Sequence, residues 1–222
     1  MEKIIDVAKE HDLYILSDEV YRPLFHSISP MDKDFPPSIL SLAYPKTIAT
    51  GSLSKAYALA GIRTGWIASR SKEVIESCAT ARAYTTISVS QIDDQIATFA
   101  LDPSCVHSLL GRNIKLAKTN LDILTRFIEE HRHICNWIKP VAGTTAFIKF
   151  SREGKMVDEV EFCKILQEST GVMFCPGSRC FGEEFKGYVR MGYVCETKVL
   201  SEGLAELKGF LRDRYQMLPL AA

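Results

Sequence analysis

The sequence predicts an α/β protein in which short apolar strands alternate with longer amphipathic helices. Short apolar runs, such as those at 13–16, 47–50 and 64–68, have the length of buried strands. Other stretches, such as 72–83 and 103–131, carry apolar residues at the spacing of one helix face. A composition that is 46% hydrophobic and 24% charged is typical of a globular protein.

The first half of the chain predicts three strands separated by helices and loops. Residues 1–11 form the first predicted helix, because Ile4, Ile5 and Ala8 fall on one face. Residues 30–37 are rich in Pro, Asp and Lys, which is typical of a loop. The other elements of this half are predicted strands at 13–16, 47–50 and 64–68 and predicted helices at 72–83 and 90–101.

A long helical pattern over residues 103–131 connects the two halves. Its apolar residues, among them Leu109, Leu121 and Leu124, recur at helical spacing. We expect the domain boundary within this helix, which gives domains at 1–110 and 111–222. The second domain is predicted to be α+β, with strands at 136–139, 145–150, 171–174 and 188–193 and helices at 158–170 and 196–215.

Charge and composition argue against several classes of protein. The 27 basic and 27 acidic residues cancel, so we expect neither a nucleic acid nor a membrane surface as partner. No apolar run reaches the about 18–20 residues of a membrane-spanning helix, and Asp6 and Glu10 interrupt any signal peptide. The seven cysteines lack a CxxC pair, so we expect free thiols, buried at Cys175 and Cys180, no metal site, and a reducing cytoplasm.

Side chains that can carry chemistry lie at the ends of predicted strands. In open α/β sheets, ligands bind beyond the carboxyl ends of the strands. Lys55 is flanked by small and apolar residues, and Arg63 follows eight positions later, a combination that suits a phosphorylated cofactor. The candidates are Asp18 and Tyr21 after the first strand, Ser52, Ser54 and Lys55 after the second, Arg63 before the third, and Arg190 within a late strand.

Each candidate also has a purely structural interpretation. Asp18 can end a strand and cap a helix, and Tyr21 can be a core aromatic with a hydrated hydroxyl. Ser52 can be a turn serine. The alternatives for the basic residues are a solvated lysine at Lys55, a structural ion pair at Arg63 and an exposed strand arginine at Arg190.

The ordered set of motifs resembles a known family. SDEVY at 17–21, SLSK at 52–55 and GIR at 61–63 resemble the class I/II aminotransferases of fold type I, which depend on pyridoxal 5′-phosphate (PLP). PGS at 176–178, FG at 181–182 and YVRMG at 188–192 resemble the end of the same family. Thr64 departs from the apolar residue usual after the arginine. The resemblance implies a partial fold type I large domain, with a mostly parallel sheet flanked by helices, and a C-terminal α+β small domain.

The resemblance also implies a role for each candidate. Lys55 would form the Schiff base with PLP and then move the substrate proton. Asp18 would pair with the protonated pyridine nitrogen, and Tyr21 would donate to the 3′-oxygen. The anion-binding roles are implied for Ser52, Ser54 and Arg63 at the cofactor phosphate and for Arg190 at the substrate α-carboxylate.

The implied activity is amino transfer between an α-amino acid and a 2-oxo acid. A PLP-dependent lyase or cyclase, such as a C–S lyase or an aminocyclopropane-carboxylate synthase-like enzyme, uses the same lysine and aspartate. An inactive remnant is the third alternative. Family members carry a segment before the position that corresponds to Met1, with a ring-stacking aromatic residue and a phosphate-binding turn. We therefore expect a truncated chain with low PLP affinity and an unpaired sheet edge, and a homodimer for the full-length parent.

Overall fold

A computed structural model describes residues 1–221 of the chain. The chain divides into two compact units, Met1–Ile114 and Lys115–Ala222. The division falls within one long helix, the helix in which the sequence places the domain boundary after residue 110. The α/β class predicted from the sequence is confirmed. Among residues 1–221, no helix is both long enough and apolar enough to cross a membrane.

The first unit is built on a three-stranded mixed sheet of β1 (Ile15–Asp18), β2 (Thr47–Ser52) and β3 (Gly65–Ser69). In the order β1–β2–β3, the first pairing is parallel and the second is antiparallel. β3 approaches β2 closely because position 65 is glycine. A Cβ on Gly65 would lie 2.8 Å from the carbonyl oxygen of Gly51.

Two of the helices in this unit have a serine N-cap. The helices before the unit boundary are α1 (Glu2–Glu10), α2 (Lys72–Thr85) and α3 (Gln91–Leu101). Ser71 Oγ accepts a hydrogen bond from Val74 N, and Ser90 Oγ accepts one from Asp93 N. These bonds satisfy amide groups that the first turn of a helix leaves without partners.

The long helix α4 (Pro103–Glu130) has 28 residues, which corresponds to about 42 Å at 1.5 Å per residue. Proline is favoured at the first helical position, where its missing N–H costs no hydrogen bond. Buried side chains recur along α4 at intervals of three and four residues, and two of them are asparagines, Asn113 and Asn120. The Asn120 amide nitrogen donates to two backbone carbonyls of the second unit, those of Tyr193 and Cys195.

The second unit contains the C-terminal part of α4 and, within residues 131–221, an antiparallel sheet and three further α-helices. The sheet has the order β4–β5–β8–β7, and β6 pairs with β5 outside this path. Its strands are β4 (Cys135–Trp137), β5 (Thr145–Arg152), β6 (Lys155–Met156), β7 (Cys175–Pro176) and β8 (Tyr188–Gly192). Its helices are α5 (Glu159–Thr170), α6 (Gly177–Phe181) and α7 (Thr197–Asp213).

One face of this sheet forms the core of the second unit. Ile148 and Phe150 of β5 and Val189 of β8 are at most 1% exposed. They belong to one cluster with Phe162 and Leu166 of α5, both 0% exposed. Because side chains alternate along a strand, the residues between them face away from this core.

The structure corrects three details of the sequence prediction. The strand predicted at 171–174 is absent from the described residues, and pairing begins at Cys175. The first strand is Ile15–Asp18 instead of 13–16. Cys180 is exposed and Cys175 is half-buried, so the expectation of two buried thiols is wrong.

Candidate active site

One edge of the first sheet gathers the candidate residues of the first unit. β1 and β2 are parallel, so their last residues, Asp18 and Ser52, lie at the same edge. Ser52 pairs with Gly65, the first residue of β3, and Arg63 precedes Gly65 by two positions. Lys55 follows β2 by three positions. The sheet topology therefore brings this set to one edge, as the strand-end pattern predicts.

Asp18 ends β1 with one carboxylate oxygen held by the protein. Its Oδ1 accepts a hydrogen bond from Thr50 Oγ1 at 3.2 Å and another from Val20 N at 3.2 Å. Thr50 is also the β2 partner of Asp18 in the strand register. The other oxygen, Oδ2, has no hydrogen bond within residues 1–221 and is available to a ligand.

The Lys55 amine lies near the ring of Tyr21. The distance from Lys55 Nζ to the centroid of the Tyr21 ring is 5.9 Å. The amine makes no salt bridge in the described part of the chain. Tyr21 is half-buried, and a cation–π contact at this distance is weak, so the amine remains available to react.

The turn around Lys55 is anchored by buried neighbours while the lysine itself is exposed. Leu53 and Ala56 are both 0% exposed. Leu53 N donates to Thr64 O at 3.1 Å, which ties the turn to the segment before β3. Burial of Tyr57, the residue after Ala56, raises the pKa of its hydroxyl above the ordinary value. The backbone of the turn is therefore fixed, and the lysine side chain projects from it.

Asn113 on α4 supports this turn, and the sequence gives no motif for it. Its side chain is 5% exposed, and its Nδ2 donates to the carbonyl oxygen of Ala56 at 2.8 Å. Its Oδ1 in turn accepts from Arg112 Nε at 3.2 Å. A sequence signal does exist, because Asn113 lies four residues after Leu109 within the apolar stripe of the helix. A polar residue in an apolar stripe indicates a buried hydrogen bond.

Ser52, Ser54 and Arg63 lie around the same turn. Ser52 Oγ accepts from Ser54 N at 3.2 Å, which is a serine turn and agrees with the structural interpretation of Ser52. Arg63 has a left-handed backbone with φ of 50°, and its Nη1 donates to Ala60 O at 2.9 Å. Its guanidinium group has five N–H donors, so others remain for an anion.

Arg190 belongs to the second unit, whereas the other six candidates belong to the first. It lies on the sheet face that points away from the core, opposite Phe147 in the register. Its Nη2 is 3.2 Å from Cys175 Sγ, and its guanidinium carbon is 5.6 Å from the centroid of the Phe181 ring. The guanidinium group is thus placed by a thiol and an aromatic ring, and no salt bridge within residues 1–221 neutralises it.

The residues at the sheet edge fit a phosphorylated pyridine aldehyde. An amine without a salt bridge suits the aldehyde, and a carboxylate with an available oxygen suits a protonated ring nitrogen. Serine hydroxyls and an arginine suit a phosphate. The same residues do not suit a metal ion, and residues 1–221 hold no cluster of three His, Cys, Asp or Glu side chains with metal-site geometry.

The fold and the lysine-centred edge define an α/β protein with an exposed lysine after the middle strand of its first sheet, and sequence comparison gives the family. Residues 1–207 match the family described as Aminotransferase class I and II. The chain therefore belongs to the class I and II aminotransferase family.

Individual relatives agree with this assignment. The chain is 26% identical over 219 residues to nicotianamine aminotransferase A of Hordeum vulgare, with 95% of this chain and 46% of that protein covered. It is 25% identical over 205 residues to capreomycidine synthase of Streptomyces vinaceus, with 92% and 49% covered. A crystal structure of a PLP-dependent aminotransferase from Streptococcus suis matches with a TM-score of 0.82 and 39% identity, covering 95% of this chain and 52% of that one.

Two conclusions follow from these matches. The family resemblance and the partial fold type I architecture predicted from the sequence are confirmed. The chain spans about half the length of the relatives that it matches.

Proposed function

We propose that this chain carries the lysine-bearing part of a PLP-dependent aminotransferase, which moves an amino group between an α-amino acid and a 2-oxo acid. The observation that supports this most directly is the sheet edge where Asp18, Lys55 and Arg63 occur together in a family member. When bound, PLP supplies an electron sink that stabilises negative charge at the substrate Cα. The residues of this chain supply binding, orientation and proton movement.

Lys55 and Asp18 have the central roles in this proposal. The Lys55 amine is exposed and makes no salt bridge within residues 1–221, so it can accept and return the proton at the substrate Cα. Asp18 Oδ2 would accept the hydrogen bond of the pyridine N–H, while Thr50 and Val20 hold Oδ1. The Tyr21 hydroxyl would donate to the 3′-oxygen of the cofactor, since its ring lies beside Lys55.

The remaining candidates are proposed to bind the two anionic groups, the phosphate of the cofactor and the α-carboxylate of the substrate. Arg63 would hold the cofactor phosphate through charge-assisted hydrogen bonds, and the hydroxyls of Ser52 and Ser54 would add to them. Arg190 would bind the α-carboxylate of the amino acid in the same way, because its planar fork matches a carboxylate. A homodimer of the whole protein in the cytoplasm completes the proposal.

The first prediction concerns covalent capture of PLP by Lys55. We expect that borohydride reduction of the chain with saturating PLP fixes the cofactor on the peptide that contains Lys55, as measured by mass spectrometry. Lys55→Ala should abolish this labelling, because the reactive amine is lost. The control is Lys72→Ala, which removes a lysine whose side chain is 89% exposed on α2. Equal labelling of several surface lysines, unchanged by Lys55→Ala, would remove Lys55 from the proposal.

A lyase or cyclase reaction is the alternative function. One observation favours it: a relative of similar identity is named a synthase instead of an aminotransferase. Product analysis separates the two reactions in the whole protein. An aminotransferase turns the amino donor into a 2-oxo acid and leaves the cofactor in its amine form. A C–S lyase also yields a 2-oxo acid, but together with ammonia and a thiol, and a cyclase yields a cyclic product; both leave the cofactor in its aldehyde form. An inactive remnant would consume no amino donor at all.

A further inference from the structure

Glu159 is a buried carboxylate that accepts hydrogen bonds from backbone and hydroxyl donors on both of its oxygens. It begins α5 and is 2% exposed. Its Oε1 accepts from Ser178 N at 3.0 Å and from the Ser178 hydroxyl, and its Oε2 accepts from Gly187 N at 2.8 Å. A buried carboxylate is costly unless it is hydrogen-bonded, so these donors fix both the carboxylate and the segments that supply them.

The two segments that Glu159 holds are those that flank Arg190. Ser178 lies in α6, the short helix that also carries Phe181, whose ring centroid lies 5.6 Å from the Arg190 guanidinium carbon. Gly187 directly precedes β8, the strand that carries Arg190. The Glu159 carboxylate therefore connects the helix that carries Phe181 with the start of β8, the strand that carries Arg190.

The packing around these segments leaves little room for adjustment. A Cβ on Gly177 would lie 2.3 Å from Phe185 O and 2.7 Å from Tyr188 O. Gly187 has φ of +77°, a conformation that L side chains rarely adopt. Because the backbones of α6 and β8 are this close, we expect a shift of α6 after loss of the carboxylate contacts to be transmitted to the strand that carries Arg190.

We propose that Glu159 is a positioning residue for Arg190, which sets the place of the guanidinium group beside Cys175 and Phe181 and thereby the affinity of the site for the substrate carboxylate. This inference rests on the proposed function, which assigns carboxylate binding to Arg190. Glu159 itself does not touch the substrate. It acts through Ser178 and Gly187.

The charge of Glu159 is suited to this task. Burial raises the pKa of Glu159, but the hydrogen bonds from Ser178 and Gly187 outweigh burial and hold the pKa below its ordinary value. The group is therefore an anion at neutral pH that accepts three hydrogen bonds. Glu159→Gln keeps the shape of the side chain but replaces one accepting oxygen with an N–H₂ group, which faces a donor.

The test compares four variants of the whole protein: Glu159→Gln, Ser178→Ala, Arg190→Ala and the control Glu161→Gln. Glu161 lies on α5 two residues from Glu159, and its carboxylate contacts only Lys164 among the described ion pairs. We expect Glu159→Gln and Ser178→Ala to weaken amino-donor binding by about three- to tenfold, the effect of one hydrogen bond. PLP affinity should stay unchanged in both. In both variants, the Nε–H resonance of Arg190, whose guanidinium group lies beside the Phe181 ring, should move in a ¹⁵N NMR spectrum. The control Glu161→Gln should change neither donor binding nor this resonance.

The outcomes separate the inference from the proposed function. If Arg190→Ala weakens donor binding while Glu159→Gln and Ser178→Ala leave both donor binding and the Arg190 resonance unchanged, the inference is wrong. If Glu159→Gln lowers donor affinity and PLP affinity equally, Glu159 has a general folding role, and the inference is also wrong. If Arg190→Ala leaves donor binding intact, the proposed role of Arg190 fails, and a shift of the Arg190 resonance alone then supports the positioning. Should Glu159→Gln not fold, Ser178→Ala, which removes one donor, decides the test.

Discussion

At the residue scale, one buried side-chain amide supports the lysine turn. Asn113 Nδ2 donates to the carbonyl of Ala56, the residue that follows Lys55. Asn113→Ala leaves this buried carbonyl without its donor and also removes the acceptor of Arg112 Nε. An unsatisfied buried group costs about 1–3 kcal/mol, so the variant should unfold at a lower urea concentration.

A control on the same helix tests this prediction about Asn113. Lys115 is exposed two positions further along α4, and Lys115→Ala should change the unfolding midpoint little. Hydrogen exchange of the amides at 53–59 should accelerate in Asn113→Ala and not in the control. Unchanged exchange of this segment would show that the amide does not hold the turn.

The candidate residues at the sheet edge can be named from the sequence, whereas the hydrogen-bond partners of the residues that support them cannot. Lys55, Asp18 and Arg63 lie in short motifs that can be recognised locally. Thr50 and Asn113 act on residues 32 and 57 positions away, so their partners depend on the tertiary fold. Glu159 follows Asp158, which caps α5, and therefore looks like an ordinary acidic residue of a first helical turn.

At the element scale, a strand begins and ends where a partner strand is available for pairing, and the apolarity of the residues matters less. Leu13 and Tyr14 are apolar but 49% exposed, and β1 begins only at Ile15, where its register with β2 begins. Apolar residues at 171–174 predict a strand, yet pairing is found at Cys175 and Pro176. Proline is tolerated there because β7 is at the edge of the sheet, where its missing N–H removes no ladder bond.

The close approach of β3 to β2 predicts that position 65 must be glycine. A Cβ on Gly65 would lie 2.8 Å from Gly51 O and 3.2 Å from Ser52 Cβ, so Gly65→Ala should force the two strands apart. We expect a loss of stability of about 1–3 kcal/mol, typical of overpacking, and weaker capture of PLP at the sheet edge. Thermal unfolding and the borohydride labelling of Lys55 measure the two effects.

The chain offers a matched control for Gly65→Ala. A Cβ on Gly61 meets nothing within 4 Å, so Gly61→Ala should be neutral or slightly stabilising. Equal effects of the two substitutions would show that backbone freedom, and not strand spacing, explains the glycine at position 65.

At the scale of the whole molecule, the two units differ in how much of their apolar surface they bury. In the second unit, Phe150, Phe162 and Leu166 are all 0% exposed. In the first, Leu16 of β1 and Ile67 of β3 are 67% and 48% exposed. The free energy of local opening follows buried contacts, so the first unit should open more readily.

Native-state hydrogen exchange measures this difference. Amides of β5 and β8 should exchange about tenfold more slowly, or slower still, than those of β1 and β3, because their strands pack on a closed core. Equal protection across both sheets would show that the chain opens as one cooperative unit.

The strand order of the first sheet determines which elements surround the strand that leads to Lys55. β2, which leads directly into the lysine turn, is the middle strand of the three, with β1 on one side and β3 on the other. A middle strand has hydrogen-bonded neighbours along both of its edges, and adding further strands beyond them would not change its immediate surroundings. The end of β2 is therefore fixed by β1 and β3, while Asn113 of α4 holds the turn that carries Lys55. A minimal platform for a reactive lysine can be designed around three strands of this order and one helix that supplies a buried amide.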